Sequence, residues 1–319
     1  MRELSLSEQW RLLTGDREAS EQLVSLVSVP GAGRGLVATR EVGGGEVLLR
    51  DEALLLGPSG LSPPGACVGC QGGAGLTECD GCGWPVCARC EETHQAECHA
   101  LQSLPVPTPS PALWLMILRL HLSQDPRLDL LAGLPSSGSS DKYCQVTTAR
   151  LGISEEESAR LHAVLSANTF RNNTTRCLCP AMAMVNHSCQ PNCRVYWTSP
   201  HTLVLETRRH VTAGEELTIT YCCTLLATPA RQAKLLASKG FQCRCERCQD
   251  PGEGQTNTGG IKCSKCGEGV ILPVLRPAVN TPHVSTLSWA CHCGFTPNSN
   301  KVQIKIKVKG NLIVNCDIR

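Results

Sequence analysis

Metal-binding residue types are concentrated in residues 67–98, where four close-set pairs follow one another. The pairs are Cys67 and Cys70, Cys79 and Cys82, Cys87 and Cys90, and His94 and Cys98. Two intervening residues let both thiolates of a cysteine pair reach one metal across a tight turn, and residues four apart share a helix face. Eight soft ligands are enough for two tetrahedral zinc ions. Because the segment has few large apolar residues, metal binding must supply much of its folding energy.

Two other interpretations of this segment are weaker. A set of unligated buried cysteines would not need four pairs at ligand spacing. A nucleic-acid-reading Cys2His2 finger has about 12 residues between its cysteine and histidine pairs, whereas only three residues separate Cys90 from His94. The spacing therefore favours a compact module with two zinc ions.

A second group of chemistry-bearing residues is spread over a longer stretch. It consists of Gly33-Arg34-Gly35-Leu36, Asn186-His187-Ser188-Cys189, Gly214-Glu215-Glu216 with Tyr221, and Phe241 with Cys243, Cys245 and Cys248. Each motif alone has an ordinary interpretation, such as a polar turn, a hairpin turn or a core tyrosine whose hydroxyl finds a partner. Their occurrence together in this order is hard to explain by chance. The alternation from Leu217 to Tyr221 predicts a strand with Tyr221 on its apolar face.

A third cysteine group follows further along the sequence. Cys263 and Cys266 precede Cys291 and Cys293, and His292 lies between the last two. These cysteines could hold a further zinc ion as a ribbon, or they could form a partly liganded structural set.

The composition of the 319 residues bears on the state of these thiols. The chain has 22 cysteines, and its acidic first residues contain no apolar run of signal-peptide type. We therefore expect reduced thiols that bind metal, and no glycan at the Asn-x-Ser/Thr triplets of Asn172, Asn173 and Asn186. The most apolar stretch, 113–122, is too short for a membrane span. A net charge of +2 gives no general attraction to nucleic acid or anionic membranes.

The residues around the motifs predict a mixture of small strands and helices. Residues 1–26 are expected to form a short helix with Leu6, Trp10 and Leu13 on one face. Further elements are predicted as short strands over 27–57, helices at 112–123, 154–170 and 229–238, strands at 194–197, 202–207 and 216–221, and a loop at 133–141. Alternating lysines over 301–309 predict an edge strand with a solvated basic face.

The second group of residues resembles the SET methyltransferase fold over about residues 25–250, and the first group resembles the MYND zinc module. A MYND module inserted after the Gly-Arg-Gly-Leu strand is typical of the SET-and-MYND subfamily, and segment 260–293 is similar to its arthropod-type members. MYND pairs interleave. The resemblance thus implies one zinc bound by Cys67, Cys70, Cys87 and Cys90, and another bound by Cys79, Cys82, His94 and Cys98.

The resemblance also implies roles in the catalytic core. Contacts with S-adenosylmethionine are expected from Gly33, Arg34, Gly35, Asn168, Asn186 and His187, with Phe241 stacked on the adenine. Asn168 is followed by Thr169, where the family element has serine. A third, structural zinc is expected on Cys189, Cys243, Cys245 and Cys248. Tyr221 is expected to be the catalytic residue that orients the acceptor amine; its reference pKa of about 10 argues against a strong base.

The expected fold is mixed β and α, a SET fold of small sheets with a pseudoknot, interrupted by the MYND module and a helical insert. The expected segments are 1–57 (amino-terminal helix and first part of SET), 58–104 (MYND), 105–180 (helical insert), 181–240 (core SET), 241–250 (post-SET zinc element) and 251–319 (cysteine-containing ribbon and basic tail). Subfamily members usually continue into a helical domain, and this chain lacks that pattern.

The expected function is methyl transfer from S-adenosylmethionine to lysine side chains of proteins, histone or non-histone, with MYND docking of proline-rich peptide partners. A catalytically weak adaptor that acts as a transcriptional co-regulator is the alternative, favoured by the missing helical pattern. A sequence-specific DNA-binding protein is disfavoured by the charge and the finger spacing. We expect a monomer without membrane contact, in cytoplasm and nucleus.

Overall fold

The computed structural model describes residues 4–15, 23–58, 65–102, 111–131, 151–171, 175–278, 281–297, 306–308 and 312–314. The chain divides into two compact units. The first consists of Met1–Asn186 and Asn192–Leu217, and the second of His187–Pro191 and Thr218–Arg319. The predicted loop at 133–141, the triplets at Asn172 and Asn173, and most of the predicted strand at 301–309 lie outside the described residues. None of the helices in the described residues combines the length and the apolarity that a membrane crossing requires.

Within its described residues, the first unit contains four helices and most of the strands. Its helices are α1 (Leu6–Thr14), α2 (Glu91–Gln102), α3 (Pro111–Leu122) and α4 (Glu155–Asn168), with 3-10 turns at Pro126–Leu130 and Met182–Met184. Its strands are β1 (Val24–Val29), β2 (Gly33–Ala38), β3 (Val47–Glu52), β4 (Leu55–Pro58), β5 (Leu76–Glu78), β6 (Pro85–Cys87), β7 (Thr169–Arg171), β8 (Thr175–Leu178), β10 (Cys193–Ser199) and β11 (Thr202–Thr207). Two further strands, β9 (Asn186–His187) and β12 (Glu216–Ile219), begin in the first unit and end in the second.

Helix α1 begins at a capping box in which the side chains of Ser5 and Glu8 accept hydrogen bonds from each other's backbone N–H. Trp10 and Leu13 are buried, as the sequence predicts. The predicted extension of this helix to residue 26 is wrong, because the β-branched residues at 24, 27 and 29 belong to strand β1.

The strands of the first unit form several small sheets. Strand β2 lies between β1 and β12, with Val24 opposite Ala38 and Glu216 opposite Val37. A second sheet has the order β10-β11-β3 and a third the order β4-β8-β7. Leu36, Leu203 and Leu205 are buried to 1 % exposure or less. Burial of apolar strand faces against one another stabilises these sheets.

The helical segment predicted at 105–180 is helical only in part. Helices α3 and α4 lie close to the predicted positions. The predicted helix over 154–170 is two residues too long, because Thr169 and Phe170 pair with strand β8 as part of β7. Strands β7 and β8 therefore extend the sheet that contains β4.

The second unit contains α5 (Thr228–Lys239), α6 (Glu246–Gln249), β13 (Ile261–Lys262), β14 (Val270–Ala278), β15 (Thr281–Cys291), β16 (Ile306–Val308) and β17 (Leu312–Val314). Strands β13, β14 and β15 form an antiparallel sheet, and β16 pairs with β17. Helix α5 ends at Gly240, whose φ of 73° is the left-handed conformation that caps many helices. The chain turns there and runs directly into Phe241 and the cysteines that follow it.

Candidate functional site

The first and third cysteine pairs of the zinc module lie close together, as the resemblance implies. The ligand atoms of Cys67, Cys70, Cys87 and Cys90 all lie within 4.8 Å of one another. The sulfurs of Cys70 and Cys87 are 3.8 Å apart. Zn–S bonds of about 2.3 Å in a tetrahedron place sulfurs about 3.8 Å apart, whereas a disulfide requires about 2.05 Å. This cluster therefore has the dimensions of a zinc site.

A second cluster in the same module brings together Cys79, Cys82, His94 and Cys98. The sulfurs of Cys79 and Cys98 are 3.5 Å apart, and His94 Nε2 lies 3.2 Å from the sulfur of Cys82. Both quartets match the interleaved pairing implied by the MYND resemblance. The residues present fit two tetrahedral zinc ions.

His94 is held from its other side by a buried charged network. Its Nδ1 is 3.3 Å from a carboxylate oxygen of Glu97. Glu97 in turn accepts two hydrogen bonds, of 2.5 and 2.7 Å, from the guanidinium of Arg119 in α3. The same guanidinium donates to the carbonyl of Val68, at 2.9 Å, and to that of Leu56. A carboxylate behind a zinc-ligating histidine fixes the ring orientation, and Arg119 ties that carboxylate to strand β4 and the first cysteine turn.

A third cluster lies in the second unit and consists of Cys189, Cys243, Cys245 and Cys248. The sulfur of Cys189 is 3.9 Å from that of Cys243 and 3.5 Å from that of Cys248. Gln232 of α5 donates to the carbonyl of Cys243 and accepts from its N–H. All four ligand positions of a zinc here would be filled by protein, which is the arrangement of a structural site.

The fourth cluster gathers Cys263, Cys266, Cys291 and Cys293 at the base of the β14–β15 hairpin. Its sulfurs pair at 3.8 Å (Cys263 and Cys293) and 3.9 Å (Cys266 and Cys291). Of the two interpretations that the sequence leaves open, the ribbon that can hold a zinc ion fits this geometry. His292 Nδ1 is 3.7 Å from the sulfur of Cys291 and stands outside the quartet.

Tyr221 lies beside two other predicted site residues of the second unit. Its ring centroid is 5.2 Å from that of His187 and 6.4 Å from that of Phe241, and the rings of His187 and Phe241 are 6.0 Å apart. The ammonium of Lys239 lies 5.3 Å from the centroid of the Tyr221 ring. Aromatic pairs at these distances attract one another, and a cation is attracted to a ring face.

The prediction that Tyr221 sits on a strand is wrong. Strand β12 ends at Ile219, and Thr220 turns its hydroxyl onto the carbonyl of Cys222 at 2.6 Å. The backbone N–H of Tyr221 instead donates to His187 Nδ1 at 2.9 Å. A histidine side chain, and not strand pairing, therefore fixes the backbone of Tyr221.

His187 joins Tyr221 to the third cysteine cluster. Its Nδ1 accepts from Tyr221, so in the neutral ring the proton sits on Nε2, which is 3.3 Å from the sulfur of Cys189. Burial lowers the pKa of His187 to about 4. The imidazole is therefore neutral at physiological pH, as the hydrogen bond from Tyr221 requires.

The remaining predicted cofactor residues lie in the first unit. Asn186 donates its side-chain amide to the carbonyl of Arg34 at 3.1 Å and to a carboxylate oxygen of Glu216 at 2.8 Å. A Cβ on Gly35 would lie 2.7 Å from that amide nitrogen. Glycine is therefore required at residue 35 so that Asn186 can lie against strand β2.

The space open to a ligand differs among Gly33, Arg34 and Asn168. Gly33 is exposed, and a Cβ there would meet nothing within 4 Å, so its backbone is open to a ligand. The side chain of Arg34 donates to Gln9 Oε1 at 2.9 Å and to the carbonyl of Leu130. Asn168 is buried and donates to the carbonyl of Val164 at 2.7 Å. The last two side chains thus make bonds within the protein.

Several residues that organise these clusters escape sequence reasoning. Glu97, Glu216 and Arg231 contact candidate ligands or predicted site residues, and Arg119 bonds to Glu97. Arg119 had a usable signal, since it is the one charged residue in the apolar run of α3. Glu216 had no such signal, because a polar residue after a Gly-Glu turn is ordinary at the start of a strand.

Comparison with known proteins identifies the class to which this arrangement belongs. The family model of the SET domain matches residues 33–222, more than half of the chain. The chain belongs to the SET domain family. Its two cysteine-rich quartets in residues 67–98, and relatives whose names include SET and MYND domains, make it similar to the SET-and-MYND proteins within that family.

Three similar proteins illustrate the relationship. SmydA-8 (isoform B) of Drosophila melanogaster is 28% identical over 304 residues, which cover 84% of this chain and 67% of the relative. Histone-lysine N-methyltransferase SMYD3 of Mus musculus is 44% identical over 72 residues, 23% of this chain and 17% of its own. Among solved structures, the SET domain of LSMT bound to methyllysine and AdoHcy is 12% identical with a TM-score of 0.47, covering 93% of this chain and 69% of that chain. The chain spans about two thirds of the Drosophila relative.

Proposed function

We propose that this chain is an S-adenosylmethionine-dependent protein lysine methyltransferase. The observation that carries the proposal is the group formed by Tyr221, His187 and Phe241 next to a zinc-type cysteine cluster, in a chain whose SET domain match ends just past the tyrosine. The names of relatives such as histone-lysine N-methyltransferase SMYD3 support the same reaction class.

Each unit holds residues that we propose for cofactor contact. They are Gly33, Arg34, Gly35, Asn168 and Asn186 in the first unit, and His187 and Phe241 in the second. In the first unit, the free space beside the exposed Gly33 can accept a ligand. In the second unit, the partly buried ring of Phe241 fits stacking on an adenine. The side chains of Asn168 and Asn186 already donate within the protein. We expect these two side chains to hold the neighbouring backbone in position for the cofactor.

The proposed chemistry requires little from the protein beyond alignment and exclusion of water. When bound, S-adenosylmethionine supplies a methyl group on a cationic sulfur. The acceptor lysine, whose reference pKa is about 10.4, must react as the neutral amine, and a desolvated position beside positive charge favours that form and releases the proton to water. The hydroxyl of Tyr221 would hold the amine lone pair toward the methyl group. His187 would keep Tyr221 in place through its backbone N–H.

The decisive experiment is a calorimetric titration of zinc-loaded protein with S-adenosylmethionine, followed by a tritiated-methyl assay on cell extract and identification of the labelled proteins. Micromolar binding and labelled lysines are expected. If zinc-loaded, folded protein binds no S-adenosylmethionine, the methyltransferase proposal is wrong. The protein would then be an adaptor, in which the MYND module recruits partners and the SET fold is a scaffold.

We further propose that the MYND module docks proline-rich peptides, and that the protein acts as a monomer in cytoplasm and nucleus. The two-zinc clusters and the MYND-containing relatives support a protein-docking role. Pull-down with proline-rich peptides, compared between the chain and a variant with both His94 and Cys98 replaced by serine, tests the docking directly.

A further inference from the structure

Arg231 is an exceptional side chain in the second unit. It belongs to helix α5 and is 0 % exposed, although arginine is almost never fully buried unless it is paired. One guanidinium nitrogen donates to the carbonyl of Leu226 at 2.5 Å and to Glu253 at 2.7 Å. The other donates to the hydroxyl of Thr228 at 2.7 Å and lies 3.6 Å from the sulfur of Cys248. A buried cation thus contacts one member of the third cysteine cluster.

The charges around Arg231 do not balance without the cysteines. The carboxylate of Glu253 is also buried and serves two arginines, since Arg247 donates to it at 2.8 Å. Because Glu253 is shared with the partly exposed Arg247, this single carboxylate does not fully compensate the buried Arg231 cation, and an uncompensated buried charge is costly. Besides Glu253, the ionisable group that Arg231 contacts in the described residues is the thiol of Cys248.

Metal binding supplies the missing negative charge. A zinc ion with four thiolates carries two net negative charges. Hydrogen-bond donors and cations around such a cluster lower the cost of burying it and hold its sulfurs in place. The Arg231 guanidinium is the cation positioned for this at Cys248, whereas Arg247 bonds to the cluster only through the carbonyl of Cys189, at 3.4 Å.

We propose that Arg231 is a positioning residue that retains the zinc of the third cluster by compensating its thiolate charge. Because Cys189 is hydrogen-bonded to His187, and Cys243 is two residues from Phe241, loss of this zinc would release the residues beside Tyr221. That consequence for catalysis rests on the proposed function. Retention of zinc by Arg231 does not.

The test is site-resolved cysteine alkylation in the zinc-loaded full chain, with mass-spectrometric mapping of labelled cysteines. Arg231→Met should accelerate labelling of Cys189, Cys243, Cys245 and Cys248 by roughly 10–100-fold, the range typical for loss of an outer partner of a metal site. Labelling of Cys67, Cys70, Cys87 and Cys90 should not change. Arg231→Lys, which keeps the charge, should restore most of the protection.

Arg247→Met is the matched control, because it removes a guanidinium from the same carboxylate without touching a sulfur. Its labelling rates should stay close to those of the parent chain. Equal acceleration in both variants, acceleration in all clusters of Arg231→Met, or parental rates in Arg231→Met would each overturn the proposal. The assay needs neither cofactor nor substrate, so it stays informative if the chain proves to have no methyltransferase activity.

Discussion

The phenol of Tyr221 is the single group on which turnover should depend most. Tyr221→Phe keeps the ring contacts with His187 and Phe241 and removes only the hydroxyl. We expect kcat to fall roughly 100-fold, as for loss of an aligned hydrogen-bonding group. The dissociation constant of S-adenosylmethionine should change less than about twofold. Rates come from the tritiated-methyl assay and affinities from calorimetry.

Tyr196→Phe is the control for that substitution, since Tyr196 lies on β10 in the other unit and is only partly buried. It should leave kcat unchanged. Full activity of Tyr221→Phe on an identified protein substrate would remove the tyrosine from the proposed chemistry. An equal fall in both variants would point to a general loss of stability.

Gly35 tests the arrangement of Asn186 in the first unit. The added Cβ of Gly35→Ala would meet both the Asn186 amide nitrogen and a methyl carbon of Val29 at 2.7 Å. Such contacts force the neighbours to move, so we expect a loss of about 1–3 kcal/mol in stability. S-adenosylmethionine binding should weaken by at least tenfold. Gly73→Ala, whose Cβ would meet nothing within 4 Å, is the control. Unchanged binding by Gly35→Ala would show that Asn186 does not need this position.

Residue types and spacing identify ligands far better than they identify the partners of ligands. The ligand pairs could be predicted because tetrahedral coordination by cysteine and histidine leaves a spacing signature along the chain, whereas the grouping of pairs into quartets came from the family resemblance. Glu97 and Arg231 could not, because each meets its partner through tertiary packing and carries no local pattern. The dual hydrogen bond of His187, to Tyr221 and to Cys189, is likewise visible only after folding.

Among the elements, the contact between α2 and α3 shows how the zinc module is held to the rest of the first unit. Glu97→Gln removes the carboxylate charge between His94 and Arg119. We expect zinc affinity of the second MYND cluster to fall about 10–100-fold, because the histidine loses its orienting partner. Competition with a colorimetric chelator measures this affinity. Glu92→Gln, on the exposed part of the same helix, should leave it unchanged; an equal loss in both variants would contradict the role of Glu97.

The turn before β12 depends on a carboxylate with an unusual pKa. Burial alone would raise the pKa of Glu215, but hydrogen bonds from Arg209, Asn192 and the N–H of Thr212 outweigh it and lower the pKa to about 2. A lowered pKa in the folded state stabilises the protein above the unfolded value of about 4.3, and this stabilisation is lost as the pH falls toward 2. Glu215→Gln should therefore cost about 1 kcal/mol at neutral pH.

The pH dependence of that cost tests whether Glu215 is the group responsible for it. Both the folded and the unfolded pKa of Glu215 lie below 5, so the difference in unfolding midpoint between the parent and Glu215→Gln should stay constant from about pH 6 to pH 8. Thermal unfolding followed by circular dichroism measures it. A difference that grows or shrinks across this range would assign the effect to another group.

Strand limits were the least predictable feature of the elements. The alternation through Tyr221 predicts a continued β12, yet the strand ends at Ile219 because side-chain hydrogen bonds replace the ladder. The helix predicted through residue 26 fails for a related reason. Its valines have a neighbouring strand to pair with, and tertiary pairing outweighs local periodicity.

For the molecule as a whole, four quartets of ligands in the described residues predict four zinc ions per chain. Replacing Cys291 and Cys293 by serine should lower the zinc content, measured by plasma mass spectrometry, from four to three. Since this double variant removes ligands of one cluster only, the other three clusters should keep their metal. Four zinc ions in this double variant would show that the hairpin cluster binds none.

Removal of all zinc should affect the two units by the same mechanism, although their folds differ. Apolar residues such as Trp84, Trp114 and Trp289 pack against the clusters, but each cluster brings together four ligands that a bound zinc ion would hold in place. Free energy of zinc binding is therefore a large part of the folding free energy, and apparent values for structural sites reach about 10–16 kcal/mol. Chelation should unfold the MYND module and the hairpin before β2, β3 and β11, whose apolar residues are buried without metal. Hydrogen exchange with mass spectrometry after chelation measures the order. Simultaneous exchange of all strands would mean that the zinc clusters stabilise the sheets of the first unit as strongly as their own segments.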